Sequence, residues 1–549
     1  MKYTREQKCR MLEEHDSLRG FFDILCADTE ATAAYWLEGD RECSLSFGKL
    51  KEKVLGCGGQ IEQLGCGKSG EWIGLALETG LNWPVIFWGL VAAGRKPLLL
   101  DPMLDDGKLL YLLRQANAGT LVCAKNRAGI PLPQFHPEAL LKDHAPLADG
   151  DWSDELAFCT SGTTDTAKIY VYRGRAVCLQ AKTIIHEQAD ERITRESRGP
   201  LRTLCFLPLN HIFGFMTNMI WTWMLGYPQV FLRDRAPETI LRTCRTLNVQ
   251  FATVVPLLVN NVCSTLQKRL AKEAPQVQEK FHRAQELSLR MQKINPVWGL
   301  KLARRMFSNI HAQLFGPQLE EIIIGGSHIT EDKLRLFNSI GISTLGGFGM
   351  TETAVTSAEV RNALDSRLNG SLGWPLDIAE YRIIPDGSDP NHGELWIRSE
   401  AMHSGVLVNG EQLPPALNSE GWYESGDVVR MDESKRIWVV GRVKDIIIGE
   451  SGENIYPDEI EDSFTDLPGV EQFAILGVKD ESGSEKVTLV MNVGPAAYRD
   501  PACLNRLYQD VQQRNRQLPV LKKVHVAVAT PEKLPLSSSM KVRRVQLRE

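Results

Sequence analysis

One stretch of the chain decides its fold: Cys159-Thr160-Ser161-Gly162-Thr163-Thr164-Asp165-Thr166-Ala167-Lys168. It lies between two short apolar runs, residues 155–158 and 169–172, which predict strands. A turn of this kind offers hydroxyl groups, backbone N–H groups and one ammonium group, which together can cradle a polyphosphate. Ser, Thr, Gly and Asp are also the usual residues of a hairpin loop, so the stretch alone fits either interpretation.

Length and composition indicate an ordinary globular protein of at least two domains. The chain has 549 residues, of which 43% are hydrophobic and 24% charged. Its net charge of -5 argues against a nucleic-acid partner. We expect a soluble, cytoplasmic protein without a transmembrane segment, because no apolar signal region follows the charged start. The most apolar window, residues 83–94, is also shorter than the roughly 20 residues that span a bilayer. Twelve cysteines without a C-x-x-C pair predict free thiols in a reducing compartment.

Short apolar strands alternate with helices in the first part of the chain. Residues 72–77, 97–100 and 120–123 predict buried strands, and residues 50–64 and 82–93 predict helices. This alternation predicts a layered α/β fold with a largely parallel sheet.

A change of pattern predicts a domain boundary late in the chain. The sequence becomes β-rich from Gly393, and residues 441–445 interrupt that pattern. We therefore predict a large domain over residues 1–441 and a small α+β domain over residues 445–549.

Residues 264–311 form a basic insert in this acidic chain. They contain ten Lys or Arg residues and three Glu residues, with apolar residues at helical intervals among them. One interpretation is a solvated helical hairpin that caps the core. The other is a surface that meets anionic lipid or an acidic carrier partner.

Two glycine-rich turns follow further predicted strands, Gly325-Gly326-Ser327 and the run from Gly346 to Glu352. Glycine pairs let a backbone approach a flat ligand closely. The carboxylate of Glu352 would suit a divalent cation beside residues 160–168, which we call the phosphate-type loop.

A further segment, residues 208–225, carries a candidate histidine and a long apolar run. His211, after Pro208-Leu209-Asn210, is by itself more often a hydrogen-bonded structural histidine than a catalytic one. Residues 213–225 predict a buried helix, and they could also line an apolar ligand pocket.

Five motifs, in order, resemble the signature of the adenylate-forming superfamily, which includes acyl-CoA synthetases, nonribosomal adenylation domains and luciferases. They occupy residues 160–168, 348–352, 425–427, 441–445 with 452–461, and 534–541. The resemblance implies that superfamily's fold: a large N-terminal domain of layered sheets and helices, and a small mobile C-terminal α+β domain with a catalytic lysine.

The resemblance also implies a two-step reaction. A carboxylate attacks the α-phosphate of ATP, with Mg²⁺ bound, to give acyl-AMP and pyrophosphate. A thiol, of coenzyme A or of the phosphopantetheine of a carrier protein, then takes the acyl group and releases AMP. The small domain would rotate between the two steps, with Lys444 at the hinge.

By the same resemblance, residues of the motifs have implied roles. The phosphates would be held by Thr160, Ser161, Gly162, Thr163, Thr164 and Lys168. The adenine would lie among Gly325, Gly326, Ser327, Phe348 and Gly349. The ribose hydroxyls would contact Asp427 and Arg442. The candidate catalytic residues are Thr351 at the α-phosphate, Glu352 on Mg²⁺, Lys541 between the two anions, and His211.

The branch of the superfamily is predicted from the insert and the segment around His211, which resemble those of long-chain fatty acyl-CoA synthetases. They imply an acid–thiol ligase of fatty acid metabolism, with peripheral membrane contact through residues 264–311. No acid in residues 213–218 could pair an amino group, which favours an apolar carboxylic acid without one.

Two alternatives to that function stay open. Coenzyme A is the expected acceptor, and an acyl carrier protein on the basic insert is the alternative. Asp165 and Met540 depart from the superfamily pattern and support a third interpretation, a degenerate nucleotide-binding module with little turnover.

Overall fold

The computed structural model describes residues 2–142, 146–147, 150–160, 167–189, 200–326, 329–449, 454–480, 485–536 and 542–548. The chain divides into two compact units. The first consists of Met1–Thr160, Ala167–Glu380 and Arg398–Ala416, and the second includes Tyr381–Ile397 and Leu417–Glu549.

Two large sheets organise the first unit. Within the described residues, one has nine strands, in the order Trp374–Pro375, Ala354–Ala358, Ser343–Met350, Glu321–Gly325, Phe251–Val254, Thr203–Cys205, Gln229–Phe231, Thr32–Glu38 and Arg41–Ser46. Its central strands are parallel and its outermost pairs antiparallel. The predicted parallel α/β layering is therefore confirmed.

The second large sheet contains the strands that flank the phosphate-type loop. Over the same described ranges it has eight strands, in the order Glu411–Leu413, Gly405–Val408, Ile169–Arg173, Glu155–Cys159, Lys96–Leu99, Trp72–Ala76, Thr120–Cys123 and Gln134–Phe135. Pairing is parallel from Glu155–Cys159 to Gln134–Phe135 and antiparallel elsewhere.

Helices cover and connect these sheets. They are Arg5–Glu14, Leu18–Leu25, Phe47–Leu64, Asn82–Ala92, Asp106–Gln115, Pro137–Leu140, Gly174–Ala189, Ile212–Gly214, a π-helix at Phe215–Trp221, Thr222–Met224, Pro237–Thr246, Pro256–Leu270, Pro275–Ile294, Pro296–Met306, Ser308–Leu314, Glu331–Ser339 and Leu364–Leu368. The basic insert thus begins inside the helix Pro256–Leu270, and its hairpin is the pair Pro275–Ile294 and Pro296–Met306.

Sequence signals explain the bounds of these helices. The helix Phe47–Leu64 begins after Ser46, whose hydroxyl accepts from the backbone N–H of Lys49, and it ends at Gly65 with φ of 65°. The helix Asn82–Ala92 is buried from Trp83 onward, as its continuous apolar run predicts.

An aromatic cluster in the main core fixes one end of the phosphate-type loop. Phe158, on the strand before the loop, has its ring centroid 5.2 Å from that of Phe215. Phe215 in turn contacts Trp83 and Phe87 of the buried helix. Packing therefore places the segment after His211 against the strand that leads into the loop.

The second unit contains three smaller sheets. The first has the strand order Ala379–Pro385, His392–Ser399, Tyr423–Met431 and Ile437–Arg442; the second pairs Ile447–Ile448 with Asn454–Ile455; the third joins Gln472–Lys479, Glu485–Asn492 and Val526–Thr530. Its helices and 3₁₀ turns are Val443–Asp445, Pro457–Glu461, Asp462–Phe464, Gly494–Tyr498, Pro501–Gln517, Val520–Lys522 and Arg544–Arg548.

The two units divide the chain earlier than the boundary we predict from the sequence at residues 441–445. The four-stranded sheet belongs with the C-terminal residues because Tyr456 joins them: its hydroxyl bonds Asp386 and its ring contacts His392. A 3₁₀ turn, Val443–Asp445, occupies the predicted boundary. The hinge at Lys444 stays a prediction.

The sequence also predicts free thiols and the absence of a transmembrane segment. All twelve cysteines lie within the described residues and are free thiols, as expected. Among the helices of the described residues, none combines the length and the apolar character needed to cross a bilayer.

Candidate active site

The phosphate-type loop joins two antiparallel strands, Glu155–Cys159 and Ile169–Arg173, so the two predicted flanking strands are confirmed. Cys159 lies opposite Ile169 in the register of the two strands. The backbone N–H of Thr160 donates to the carbonyl of Lys168 at 3.0 Å, and the N–H of Lys168 donates to the Thr160 hydroxyl oxygen at 3.2 Å. The Lys168 side chain is exposed. The predicted phosphate contacts Ser161, Gly162, Thr163 and Thr164, with Asp165, lie outside the described residues.

A tight turn carries Thr351 and Glu352, both half-buried. It connects the antiparallel strands Ser343–Met350 and Ala354–Ala358. Ala354 has φ of 59°, a left-handed conformation that a residue with a Cβ rarely adopts. A Cβ on Gly349 would lie 2.6 Å from the Ala354 carbonyl oxygen, so glycine is required there.

Hydrogen bonds tie this turn to the hairpin. The Tyr172 hydroxyl donates to the carbonyl of Thr351 at 2.8 Å. His403 Nδ1 lies 2.7 Å from the carbonyl oxygen of Glu352, and the His403 backbone N–H donates to the same oxygen at 3.2 Å. Burial lowers the pKa of the His403 imidazole, which favours the neutral ring. The structure therefore brings together the motifs at residues 160–168 and 348–352. Tyr172 and His403, which lie outside both motifs, make the contacts that link them.

The glycine pair ends a strand beside the strand that carries Phe348. Gly325 lies opposite Gly347 in the parallel register, one residue before the buried Phe348. A Cβ on Gly325 would lie 2.6 Å from Cζ of Phe213, so the ring covers the glycine directly. Gly326 is exposed, with φ of 89°. The third predicted residue of this turn, Ser327, lies outside the described residues.

His211 and the apolar run after it lie in the same unit. Burial lowers the pKa of the His211 imidazole, Arg235 lowers it further, and Asp101 opposes both effects. The run 215–224 is buried throughout, so the predicted buried helix is confirmed, with a π-helical stretch at Phe215–Trp221. π-Helical stretches often occur at functional sites. A role of this run in lining a ligand pocket stays a prediction.

In the second unit, Asp427 and Arg442 lie directly opposite each other on adjacent antiparallel strands. Arg442 Nε donates to Asp427 Oδ1 at 2.9 Å, and the Asp427 side chain is 5% exposed. Desolvation and the neighbouring Arg442 lower the pKa of the Lys444 ammonium, against the opposing effect of nearby carboxylates. The motifs at residues 425–427 and 441–445 therefore meet at the ion pair of Asp427 and Arg442.

The flanks of the terminal loop pair with each other. Leu536 and Val542 form an antiparallel bridge, and the Arg543 N–H donates to the Pro535 carbonyl at 2.8 Å. Just beyond them, Arg544 bonds the carboxylates of Asp445, Asp458 and Glu461. The loop between these flanks, with Met540 and Lys541, lies outside the described residues.

The acidic residue in the turn fits a Mg²⁺ site shared with a nucleotide. In the parts of the chain that the structure describes, no group of three His, Cys, Asp or Glu side chains could hold a metal ion. Mg²⁺ is typically bound by one or two carboxylates together with phosphate oxygens of a substrate. The single carboxylate of Glu352 is compatible with that mode.

Comparisons with known proteins identify the family. A family model described as AMP-binding enzyme matches residues 26–407. The chain therefore belongs to the AMP-binding enzyme family, as the five motifs predict.

The relatives carry the names of acid–CoA ligases. The chain is 30% identical over 523 residues to the 2-succinylbenzoate–CoA ligase of Listeria monocytogenes strain EGD-e, which covers 93% of this chain and 95% of the relative. It is 31% identical over 243 residues to the protein of that name from strain F2365, over 44% of this chain and 48% of the relative. It is 25% identical over 303 residues to long-chain-fatty-acid–CoA ligase 1 of Saccharomyces cerevisiae, over 53% of this chain and 42% of the relative. These last two matches span about half of the relatives' length.

A solved structure shares the fold. The o-succinylbenzoate CoA synthetase of Bacillus subtilis, in complex with its acyl-adenylate intermediate, matches with a TM-score of 0.73 and 19% identity. The match covers 96% of this chain and 98% of that one. The predicted adenylate-forming enzyme fold is thus confirmed.

Proposed function

We propose that this protein is an acid–CoA ligase that forms AMP. A carboxylate oxygen attacks the α-phosphorus of ATP, and the bond from that phosphorus to the bridging oxygen breaks, so pyrophosphate leaves. The thiol sulfur of coenzyme A then attacks the acyl carbon, loses its proton, and displaces AMP. The observation that carries this proposal is the bonding of the Thr351–Glu352 turn to the strand that follows the phosphate-type loop.

Each group in the described site has a task in this reaction. Lys168 and Thr160 would hold phosphates, and Asp427 with Arg442 would hold the ribose. Glu352 would hold Mg²⁺, which supplies charge neutralisation at the phosphates when it is bound. Such phosphoryl chemistry needs mainly positioning and charge stabilisation.

Further residues complete the proposed site. Phe348 and Gly325 would enclose the adenine, and Thr351 would contact the α-phosphate. Lys541 would reduce the repulsion between the carboxylate and the α-phosphate.

We propose that the acid has an apolar body without an amino group. The fully buried run 215–224 and the Phe213 ring beside Gly325 support an apolar environment next to the proposed nucleotide site. The named relatives act on 2-succinylbenzoate, an aryl acid, and on long-chain fatty acids. A panel of aryl and fatty acids in an ATP–pyrophosphate exchange assay separates these two substrate classes.

Coenzyme A is the proposed acceptor, with an acyl carrier protein as the alternative. The names of the relatives support coenzyme A. Product analysis with coenzyme A and with a holo carrier protein tests this choice. The third alternative, a nucleotide-binding module with little turnover, predicts ATP binding without exchange for any acid. We also propose a cytoplasmic location, which the free thiols of all twelve cysteines support.

We further propose that the helical hairpin 275–306 docks on an anionic bilayer. At its tip, Ile294 is 79% and Trp298 66% exposed, and Leu302 and Met306 continue an exposed apolar row along the second helix. Residues 287–319 contain five Lys or Arg residues and no Asp or Glu. Apolar side chains surrounded by cations are typical of surfaces that insert into the interface of anionic membranes.

Cosedimentation with vesicles tests the docking surface. Binding to vesicles with phosphatidylglycerol should fall at least about tenfold in the variant Trp298→Ser/Ile294→Ser, because two interfacial anchors are lost. The matched control is Val520→Ser, which changes a residue 78% exposed in the other unit. Equal binding of all three proteins, or no binding, contradicts the docking surface.

A further inference from the structure

Two side chains outside the motifs orient consecutive carbonyls of the Thr351–Glu352 turn. The Tyr172 hydroxyl donates to the first carbonyl at 2.8 Å, and His403 Nδ1 donates to the second at 2.7 Å. A carbonyl oxygen only accepts hydrogen bonds, so Nδ1 of this neutral ring carries the proton. Each peptide plane of the turn is thereby held by a side chain from a different element.

Both side chains are linked to the strand Ile169–Arg173: Tyr172 is part of it, and His403 packs against it. This strand and its antiparallel partner, Glu155–Cys159, form what we call the phosphate-type hairpin. Tyr170 and Tyr172 lie on one face of this strand, because side chains two residues apart point the same way. The Tyr170 ring contacts the ring of His403 edge to face, with centroids 4.9 Å apart. The Ser404 N–H, next in the chain, donates to this strand at 2.7 Å. The hairpin and the turn are therefore linked across about 180 residues of sequence.

The turn needs such external support. Ala354, at its end, has a left-handed backbone conformation that persists only where neighbouring contacts hold it. The direction of the Glu352 side chain depends on the peptide planes on either side of it. Fixing the carbonyls of Thr351 and Glu352 consequently fixes the direction of the Glu352 Cα–Cβ bond, from which the carboxylate extends.

We propose that Tyr172 and His403 are positioning residues that set the Glu352 carboxylate against the phosphate-type hairpin. The proposal rests on the proposed function, because it assumes that this carboxylate meets a nucleotide with its Mg²⁺. Neither side chain needs to touch the substrate for this role.

Two substitutions of His403 separate hydrogen bonding from packing. His403→Asn keeps an N–H donor at the position of Nδ1 and removes the ring, whereas His403→Phe keeps a ring and removes the donor. In calorimetric titrations of the full chain with ATP in excess Mg²⁺, we expect the Phe variant to bind about threefold to tenfold more weakly than the Asn variant. The opposite order would show that only ring packing matters, and it would overturn the proposal.

The matched control is His311→Phe. His311 is also buried, and its Nε2 lies 2.7 Å from the Ile340 carbonyl, in a part of the same unit that contains no motif. We expect this variant to lose thermal stability but to keep the wild-type affinity for ATP with Mg²⁺. Equal losses of affinity in His311→Phe and His403→Phe would overturn the positioning role. Tyr172→Phe should weaken the binding of ATP with Mg²⁺ as His403→Phe does. An unchanged affinity in Tyr172→Phe would contradict the positioning role of Tyr172.

Failure of the proposed function gives a different result. A wild-type chain that binds ATP with Mg²⁺ but exchanges no pyrophosphate refutes the function, while the binding series still decides the positioning role. A wild-type chain that does not bind ATP with Mg²⁺ refutes both.

Discussion

Replacing Asp427 by Asn should weaken the discrimination between ATP and 2′-deoxy-ATP about tenfold. The Asp427 carboxylate is 5% exposed, and Arg442 Nε holds one of its oxygens at 2.9 Å, so its position and charge are well defined. A hydrogen bond from a ribose hydroxyl to a carboxylate is worth about 1.5–3 kcal/mol. At about 1.4 kcal/mol for each factor of ten, wild type should prefer ATP by about tenfold to 150-fold.

The assay measures kcat/KM for both nucleotides by pyrophosphate exchange, in wild type and in Asp427→Asn. The amide keeps the shape of the side chain but loses the charge, and a neutral hydrogen bond is worth about 0.5–1.5 kcal/mol, so we expect the preference for ATP to fall to about twofold to twelvefold. Arg442 is 40% exposed and remains hydrated, so the variant should fold normally. An unchanged preference in Asp427→Asn, or no preference in wild type, would refute the assignment of this carboxylate to the ribose.

Three further predictions concern other parts of the chain. Lys541→Ala should abolish acyl-AMP formation but spare thiol transfer from supplied acyl-AMP; equal loss in both half-reactions would contradict the rotating-domain mechanism. Gly325→Ala places a Cβ 2.6 Å from Phe213, so it should cost about 1–3 kcal/mol in denaturant unfolding, and Gly325→Ala/Phe213→Leu should recover part of that loss. Burial lowers the pKa of Lys8 to about 8, below its unfolded value near 10.4. Between these values only the unfolded state holds the proton, so stability should rise with pH by up to about 3 kcal/mol, and a Lys8→Met variant that keeps this slope would contradict the assignment.

Much of the fold is predictable from the sequence because apolar runs and helix caps involve residues that are close together in the chain. The strand Thr120–Cys123 agrees with its predicted bounds, and the helix Phe47–Leu64 ends at the predicted residue, Leu64. The start of that helix lies three residues earlier than predicted, because Ser46 rather than a later residue caps it. By contrast, the strand predicted over residues 97–100 begins and ends one residue earlier, at Lys96–Leu99.

The candidate site was predictable only as far as its motifs extend. Ordered motifs indicated the hairpin, the acidic turn and the pair of Asp427 with Arg442, and the structure describes contacts for each. Nothing in the local sequence marks Tyr172 or His403, because their partners lie 179 and 51 residues away and the bonds end on backbone carbonyls. Contacts of that kind depend on tertiary packing, which a pattern of residue types does not encode.

Activation of an acid by this protein is tested most directly by mass spectrometry of a single turnover with ATP, Mg²⁺ and a panel of aryl and fatty acids, first without coenzyme A. We expect one class of acid to accumulate as acyl-AMP on the protein, and coenzyme A then to convert it to acyl-CoA and AMP. Failure of every acid to yield acyl-AMP, with ATP bound and unchanged, would contradict the proposed ligase function and favour a nucleotide-binding module.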